Sequence, residues 1–222
     1  SKEQTDLLVD QLAILEKLSP IIINRLKSMT ALELGHALIE GIIQEESLID
    51  DENIYLLRPI PNLMFARDPV IIAFDKVFSS SMAEAVRQRE SELMNFIFNN
   101  HSEIKNPENV INLHTFSKQG SKLTLEGGDF LVINEETVAI AWSVRTSLAS
   151  IHLLADQLRQ IGVKNLIVVK LPPKVSFIHL DTVFTRINHD ECLIYPPLFA
   201  EDSLCKAVIL YFDLRNDELV EK

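Results

Sequence analysis

Cysteine is scarce in this 222-residue chain: Cys192 and Cys205 are the only two. Their spacing matches neither a disulfide scaffold nor a paired zinc-ligand set, so a reducing cytoplasm is the simplest compartment to expect. One pair does not exclude secretion. Basic residues are also in the minority, 21 against 32 acidic ones, for a net charge of -11. Repulsion at low salt makes nucleic acid and anionic membranes poor partners, and neither is expected. Long apolar runs are missing from the start of the chain, where Lys2, Glu3, Asp6 and Asp10 interrupt any signal peptide or membrane span. There is no initial methionine, and a helical pattern begins almost at once, so a cut or processed N-terminus is expected. What is plentiful is apolar side chain: 47% of residues are hydrophobic, enough for a buried core in one large domain or a small pair.

The first fifty residues read as helices. Leu7, Leu8, Leu12, Leu15 and Leu18 recur at helical spacing over Thr5 to Leu18, and Pro20 after Ser19 is placed to open a second helix. Thr30 with Glu33 makes a capping-box signature for a third, carried by Leu32, His36, Leu38 and Ile42 to about Glu45. The pattern then changes to short runs rich in β-branched and aromatic residues: 54–57, 70–74, 77–80, 110–113, 130–133 and 138–141. Helical patterns intervene from Met82 to about Asn99 and from Thr146 to Ile161, where Gly162 takes the usual stop position. Strands are expected again over 166–170, 178–187, 192–195 and 208–212. The order lacks the strict alternation of a doubly wound parallel sheet, and no exact internal repeat is visible.

Four polar clusters lie inside or beside apolar strands, where ionised groups are costly unless paired or bound. The first runs from Asn62 to Arg67, Asp68 and Pro69, and its bland reading is a proline-bounded loop with solvated charges. The second is Glu126-Gly127-Gly128-Asp129, whose glycines permit close backbone packing so that both acids converge on one ligand, or else form an ordinary hairpin turn. The third is Arg145-Thr146-Ser147 at a helix start, able to bind a carboxylate or simply exposed. In the fourth, His179-Leu180-Asp181, a strand would turn His179 and Asp181 to one face. The histidine could then move protons and the acid could orient its ring or a cation; a satisfied histidine at a strand end is the plainer alternative. Together the carboxylates Asp68, Glu126 and Asp181 suit the planar donor fork of a guanidinium.

Five ordered segments, PNLMFARDP, VRQRE, LEGGDF, RTS and HLDTVFT, spanning about Pro61 to Asn188, closely resemble the motif series of arginine deiminases within the guanidino-group-modifying, amidinotransferase-like superfamily. The resemblance implies a mixed α/β (α+β) fold: part of a helical bundle over 1–50, then an incomplete pseudo-five-fold α/β propeller over 51–222. It implies hydrolysis of L-arginine to citrulline and ammonia through an amidino-thioether on a cysteine, without metal or organic cofactor. By motif position Asp68 and Asp181 are the guanidinium-binding carboxylates, His179 the general acid and base, and Glu126 their acidic partner near the reacting carbon. Arg87 and Arg145 would clamp the α-carboxylate, with Asn62 and Asp129 lining the site.

The departures are specific. The family's nucleophilic cysteine stands in a glycine-rich stretch far beyond the HLD motif, and neither Cys192 nor Cys205 matches it; both are expected as inert thiols in apolar, strand-like settings. The segment preceding the bundle is missing, the turn after RDP reads Ile71-Ile-Ala-Phe-Asp75 without glycine, and Val144 stands where an acid usually precedes RT. Ser203 to Lys222 matches no catalytic motif. A fragment or decayed reading frame is therefore expected, inactive alone for want of a thiolate and open to completion by a separate C-terminal chain. Other readings are a non-catalytic arginine-binding or protein-interaction pseudoenzyme and an amidinotransferase. Unpaired blade edges predict self-association.

Overall fold

The structure is a computed structural model; it describes residues 1–44, 54–104, 109–113, 123–215 and the backbone of 218–221. The expected domain boundary between 50 and 51 lies outside the described residues.

Three helices lead the chain. Helix α1 (Lys2–Glu16) is capped by Ser1 and Gln4, α2 (Pro20–Ser28) by Ser19, and α3 (Ala31–Glu40) by the reciprocal pair Thr30 and Glu33. Each cap satisfies backbone N–H groups that the first helical turn leaves without partners. Leu8, Val9, Leu12, Ile22, Leu26, Leu34 and Leu38 form their common core, with Ile42 and Leu57. Leu7 of the helical pattern points outward at 60% exposure, since it is Leu8 and Leu12 that face the partner helices.

The third helix stops earlier than its pattern suggests. Gly41 adopts φ 83°, and Ile42–Ile43 then form β1, paired antiparallel with β2 (Tyr55–Leu57). A Cβ at Gly41 would stand 2.5 Å from the Leu57 carbonyl, so the turn and the close approach both require glycine.

Two larger sheets follow. In the first, β3 (Val70–Ala73) pairs antiparallel with β4 (Lys76–Ser79), which pairs parallel with β5 (Val110–Asn112). The second has five strands in the order β12-β11-β8-β7-β6: β6 (Phe130–Asn134), β7 (Thr137–Trp142), β8 (Asn165–Lys170), β11 (Val208–Asp213) and β12 (Glu218–Glu221). Only β7 and β8 run parallel in it. Helix α4 (Gln88–Asn100) lies against the first sheet and sends Leu93 and Phe96 to the helical core, while α5 (Leu148–Gln160) buries Ile151, Leu154 and Leu158 in the core of the second. The architecture is a mixed α/β fold, as its order of elements suggests.

Two expected elements are shorter for the same reason: side chains capture backbone groups that a regular element would use. The helix expected from Met82 begins at Gln88, after one 3-10 turn over Ala85–Arg87. Ser81 exchanges backbone hydrogen bonds with Leu125, and the Ala83 N–H donates to Glu126 Oε1 at 2.9 Å, which holds 81–83 extended. The strand expected over 178–187 survives only as β9 (Phe184–Arg186), paired with β10 (Cys192–Ile194). Upstream lies a 3-10 turn at Leu180–Thr182, because Asp129 Oδ1 accepts the Leu180 N–H at 3.0 Å and Thr182 Oγ1 donates to the His179 carbonyl at 2.6 Å. The cysteines also differ from expectation: Cys192 is exposed on β10, and half-buried Cys205 lies in a loop beside Ser203.

Candidate active site

The candidate residues come from the ends of elements. Asp68 precedes β3, Arg87 precedes α4, Glu126 to Asp129 precede β6, Arg145 lies between β7 and α5, and His179 and Asp181 occupy the turn before β9. Ends are where polar side chains can replace missing backbone partners, so ionisable groups collect there.

Two glycines allow the loops to meet. A Cβ at Gly127 would sit 1.9 Å from the Arg67 carbonyl, and one at Gly128 would sit 2.6 Å from His179 Nδ1 and 3.0 Å from Asp68 Oδ1. The Gly127 N–H donates to the Asp68 carbonyl at 3.0 Å. Arg67 fastens the same crossing from the other side, donating to the carbonyls of Gly127 at 3.2 Å and Phe130 at 2.8 Å. The third cluster joins through Thr146 Oγ1, which accepts the Glu126 N–H at 3.3 Å, and through the Ser147 N–H, which donates to the Thr124 carbonyl.

At the centre, His179 Nε2 shares a hydrogen bond with Glu126 Oε2 at 3.0 Å, and His179 Nδ1 faces Asp68 Oδ1 at 3.5 Å. Glu126 has no exposed surface. Burial alone would raise its pKa, yet the hydrogen bonds from His179 and the Ala83 N–H, with the charge of Arg145 at 3.4 Å, hold it below the usual carboxylate value. Burial likewise pulls His179 down, but Glu126 together with the charges of Asp129 and Asp68 outweighs it and the net shift is upward. The pair is thus arranged as a carboxylate beside a readily protonated imidazole, a geometry for moving one proton.

Asp129 behaves differently, although it too is fully buried. Its oxygens accept from the Leu180 N–H at 3.0 Å and Ser143 Oγ at 2.6 Å, and burial pushes its pKa up to about 6. It ties the EGGD loop to the histidine turn and sits behind the pocket wall. Asp181 is raised by burial too, with Arg67 Nε 3.7 Å from its carboxylate.

In front of these residues opens a cavity of about 450 Å³, lined by Asn62, Phe65, Arg67, Asp68, Arg87, Arg145, His179 and Asp181 among others. The eight residues singled out from the sequence therefore fall in one region: six line the cavity, and Glu126 and Asp129 stand behind it. Asp68 and Asp181 offer carboxylates to a cationic ligand, and Arg145 offers a cation. Neither cysteine is among the lining residues. Asp68, Glu126 and His179 also place one ligand atom each within 4.8 Å of one another. Such a trio could in principle surround a cation, but His179 spends Nε2 directly on Glu126.

Three residues of the centre were not picked out in advance. Arg67 reads as solvated in sequence but bonds across two loops. Glu90, fully buried, takes Arg87 in a bidentate pair, and Arg89 reaches the helical lead. The spacing of Arg87 and Glu90, three apart at a helix start, is the signal that could have found that pair.

A sequence profile described as arginine deiminase matches residues 5–221. Among curated proteins, an arginine deiminase of Listeria monocytogenes is 37% identical over 153 residues, covering 68% of this chain and 36% of its own length. One from Bacillus cytotoxicus is 38% identical over the same extent. The chain spans about a third of the length of the curated relatives it matches. Among solved structures, the DDAH of Pseudomonas aeruginosa complexed with citrulline superposes with TM-score 0.50 at 22% identity, over 62% of this chain and 49% of that one. A dimethylarginine dimethylaminohydrolase adduct with S-methyl-L-thiocitrulline gives TM-score 0.50 at 21% identity, over 62% and 50%. These two likenesses support a common fold.

Proposed function

Because the chain belongs to the arginine deiminase family, we propose that its cavity holds L-arginine or a similar guanidino compound. In a complete protein of this kind the same residues would serve hydrolysis to citrulline and ammonia. The observation that carries the reading is the convergence of Asp68, Asp181 and His179 on one 450 Å³ cavity, with Glu126 locked behind the imidazole. Asp68 and Asp181 receive the guanidinium N–H groups. His179 gives a proton to the departing ammonia and takes one from the water that replaces it, with Glu126 stabilising the charged ring. Arg145 faces the ligand's carboxylate, whereas Arg87, expected as a second clamp, already spends its guanidinium on Glu90 and Asp68; Asn62 lines the ligand's path, and Asp129 fixes the turn that carries His179. Two solved structures of similar fold hold citrulline or S-methyl-L-thiocitrulline, ligands of the class proposed here.

The family's covalent route needs a thiolate at the guanidinium carbon. Neither cysteine lines the cavity, so the chain alone is proposed to bind without turning over, and a separate C-terminal polypeptide carrying the thiol would complete it. The mixed sheets are proposed to be blades of the incomplete propeller over 51–222, behind a helical part at 1–50. Exposed Leu7, Ile14, Ile21 and Leu32 on the helical lead suit self-association, and two unpaired thiols suit a reducing cytoplasm. The test is citrulline formation by the purified chain. None is expected, and robust turnover by the chain alone would sink the inactivity while leaving the ligand in place. A pseudoenzyme reading, favoured by the intact carboxylates, differs in predicting that an added C-terminal segment restores nothing.

A further inference from the structure

Arg87 is almost completely enclosed, and every edge of its guanidinium is engaged. Its Nε lies 3.2 and 3.1 Å from the two Glu90 oxygens, Nη2 donates to Glu90 Oε2 at 2.8 Å, and Nη1 donates to Asp68 Oδ2 at 2.8 Å. The carboxylate of Glu90 is fully buried, so leaving it there without a close cation would be strongly unfavourable. Two residues along, buried Arg89 donates to Glu16 at the end of α1, with Nη2 at 2.6 Å from Oε2, and to the carbonyls of Leu38 at 3.0 Å and Arg58 at 2.8 Å. The start of α4 is thus bolted to the helical lead on one side and to the cavity on the other.

We propose that Glu90 is a positioning residue of the site: it fixes the plane of Arg87, and Arg87 in turn holds Asp68 Oδ2, leaving Asp68 Oδ1 turned to His179. Arg89 and Glu16 make the helical lead the anchor of this relay. A planar fork gripped at two points defines an orientation that a single contact would leave free. The relay touches no ligand at Glu90, Arg89 or Glu16. It explains why the Arg-x-Arg-Glu run sits where the cavity, α4 and the helical core meet.

The inference rests on the reading that Asp68 and His179 belong to a ligand site, but its test needs no ligand. The protonation midpoint of His179 is followed by NMR of the imidazole in the full chain and in Glu90→Gln, Glu90→Asp and Glu16→Gln. The groups that face His179 are Glu126, Asp68, Asp129 and Asp181. With Glu90 neutral, Arg87 turns fully onto Asp68 and draws it from Nδ1, so the midpoint falls by about half a pH unit or more. Glu90→Asp keeps the charge but withdraws the fork by one methylene, and it should move the midpoint in the same direction. Glu16→Gln leaves Arg89 its two carbonyls and should give a smaller fall, and it carries the test if either Glu90 variant fails to fold. A folded variant that loses melting temperature while the His179 midpoint stays in place would overturn the proposal and leave a plain structural ion pair. Should the parent chain show no affinity for L-arginine, that would count against the binding reading and not against this one.

Discussion

Around Leu12, Leu26 and Leu38 the helical lead buries side chains that ask for volume and little else, whereas around Gly128 the loop centre buries Glu126, Asp129, Arg87 and Glu90, whose polar atoms need partners in fixed directions. Apolar burial is non-directional and forgiving of small changes in shape. A buried ionic network is neither, because removing one member leaves the others without compensation. The two regions therefore differ in what each position tolerates, and their glycines make the difference measurable. Gly127 and Gly128 exist because other loops pass within a bond length or two of where a side chain would be, while Gly35 in α3 has open space there.

The largest expected effect is at the crossing itself. Gly127→Ala should cost more than about 3 kcal/mol in chemical denaturation, or prevent folding, because its methyl would fall 1.9 Å from the Arg67 carbonyl. Mild destabilisation would mean that the loops can separate without loss.

An intermediate effect belongs to Asp129 and depends on pH. Its folded pKa of about 6 exceeds the ordinary 3.8, so the folded chain keeps this proton longer than the unfolded one. That contribution is fully present below about 4 and is lost as pH rises through about 6, a fall of up to roughly 3 kcal/mol. In Asp129→Asn the amide oxygen can still accept from the Leu180 N–H, and the folded variant should show a flatter stability profile across that window. An unchanged slope would mean that another group carries it.

The smallest effect should have the opposite sign. Gly35→Ala adds a methyl facing an apolar hollow of about 260 Å³ in the helical lead, and removing a helical glycine should stabilise the chain by about 0.5–1 kcal/mol. Thermal melts of the two alanine variants, side by side, would show whether the two regions differ as described.

Much of the lead was legible in sequence because caps and apolar periodicity are local. Ser19 with Pro20 and Thr30 with Glu33 stand in the structure as they read in the chain. The candidate residues were legible as motifs, and the structure gathers them at one cavity. What the sequence hid were the long-range captures: Asp129 taking the Leu180 N–H across 51 positions turns an expected strand into a 3-10 turn. Likewise Glu126 taking the Ala83 N–H delays a helix. Neither bond has a signature within a window of ten residues. Phe74 is a further case: it holds φ 58° in the turn between β3 and β4, a conformation that no local pattern in an Ile-Ile-Ala-Phe run announces.

The most direct test of the account is titration calorimetry of L-arginine into the purified chain at neutral pH, beside Asp68→Asn and Asp181→Asn. The account predicts a saturable one-to-one heat for the parent and an affinity at least about tenfold weaker in each variant, since each removes a carboxylate from the guanidinium's donors. Saturable binding that both variants leave unchanged, or no saturable heat from the folded parent, would contradict it.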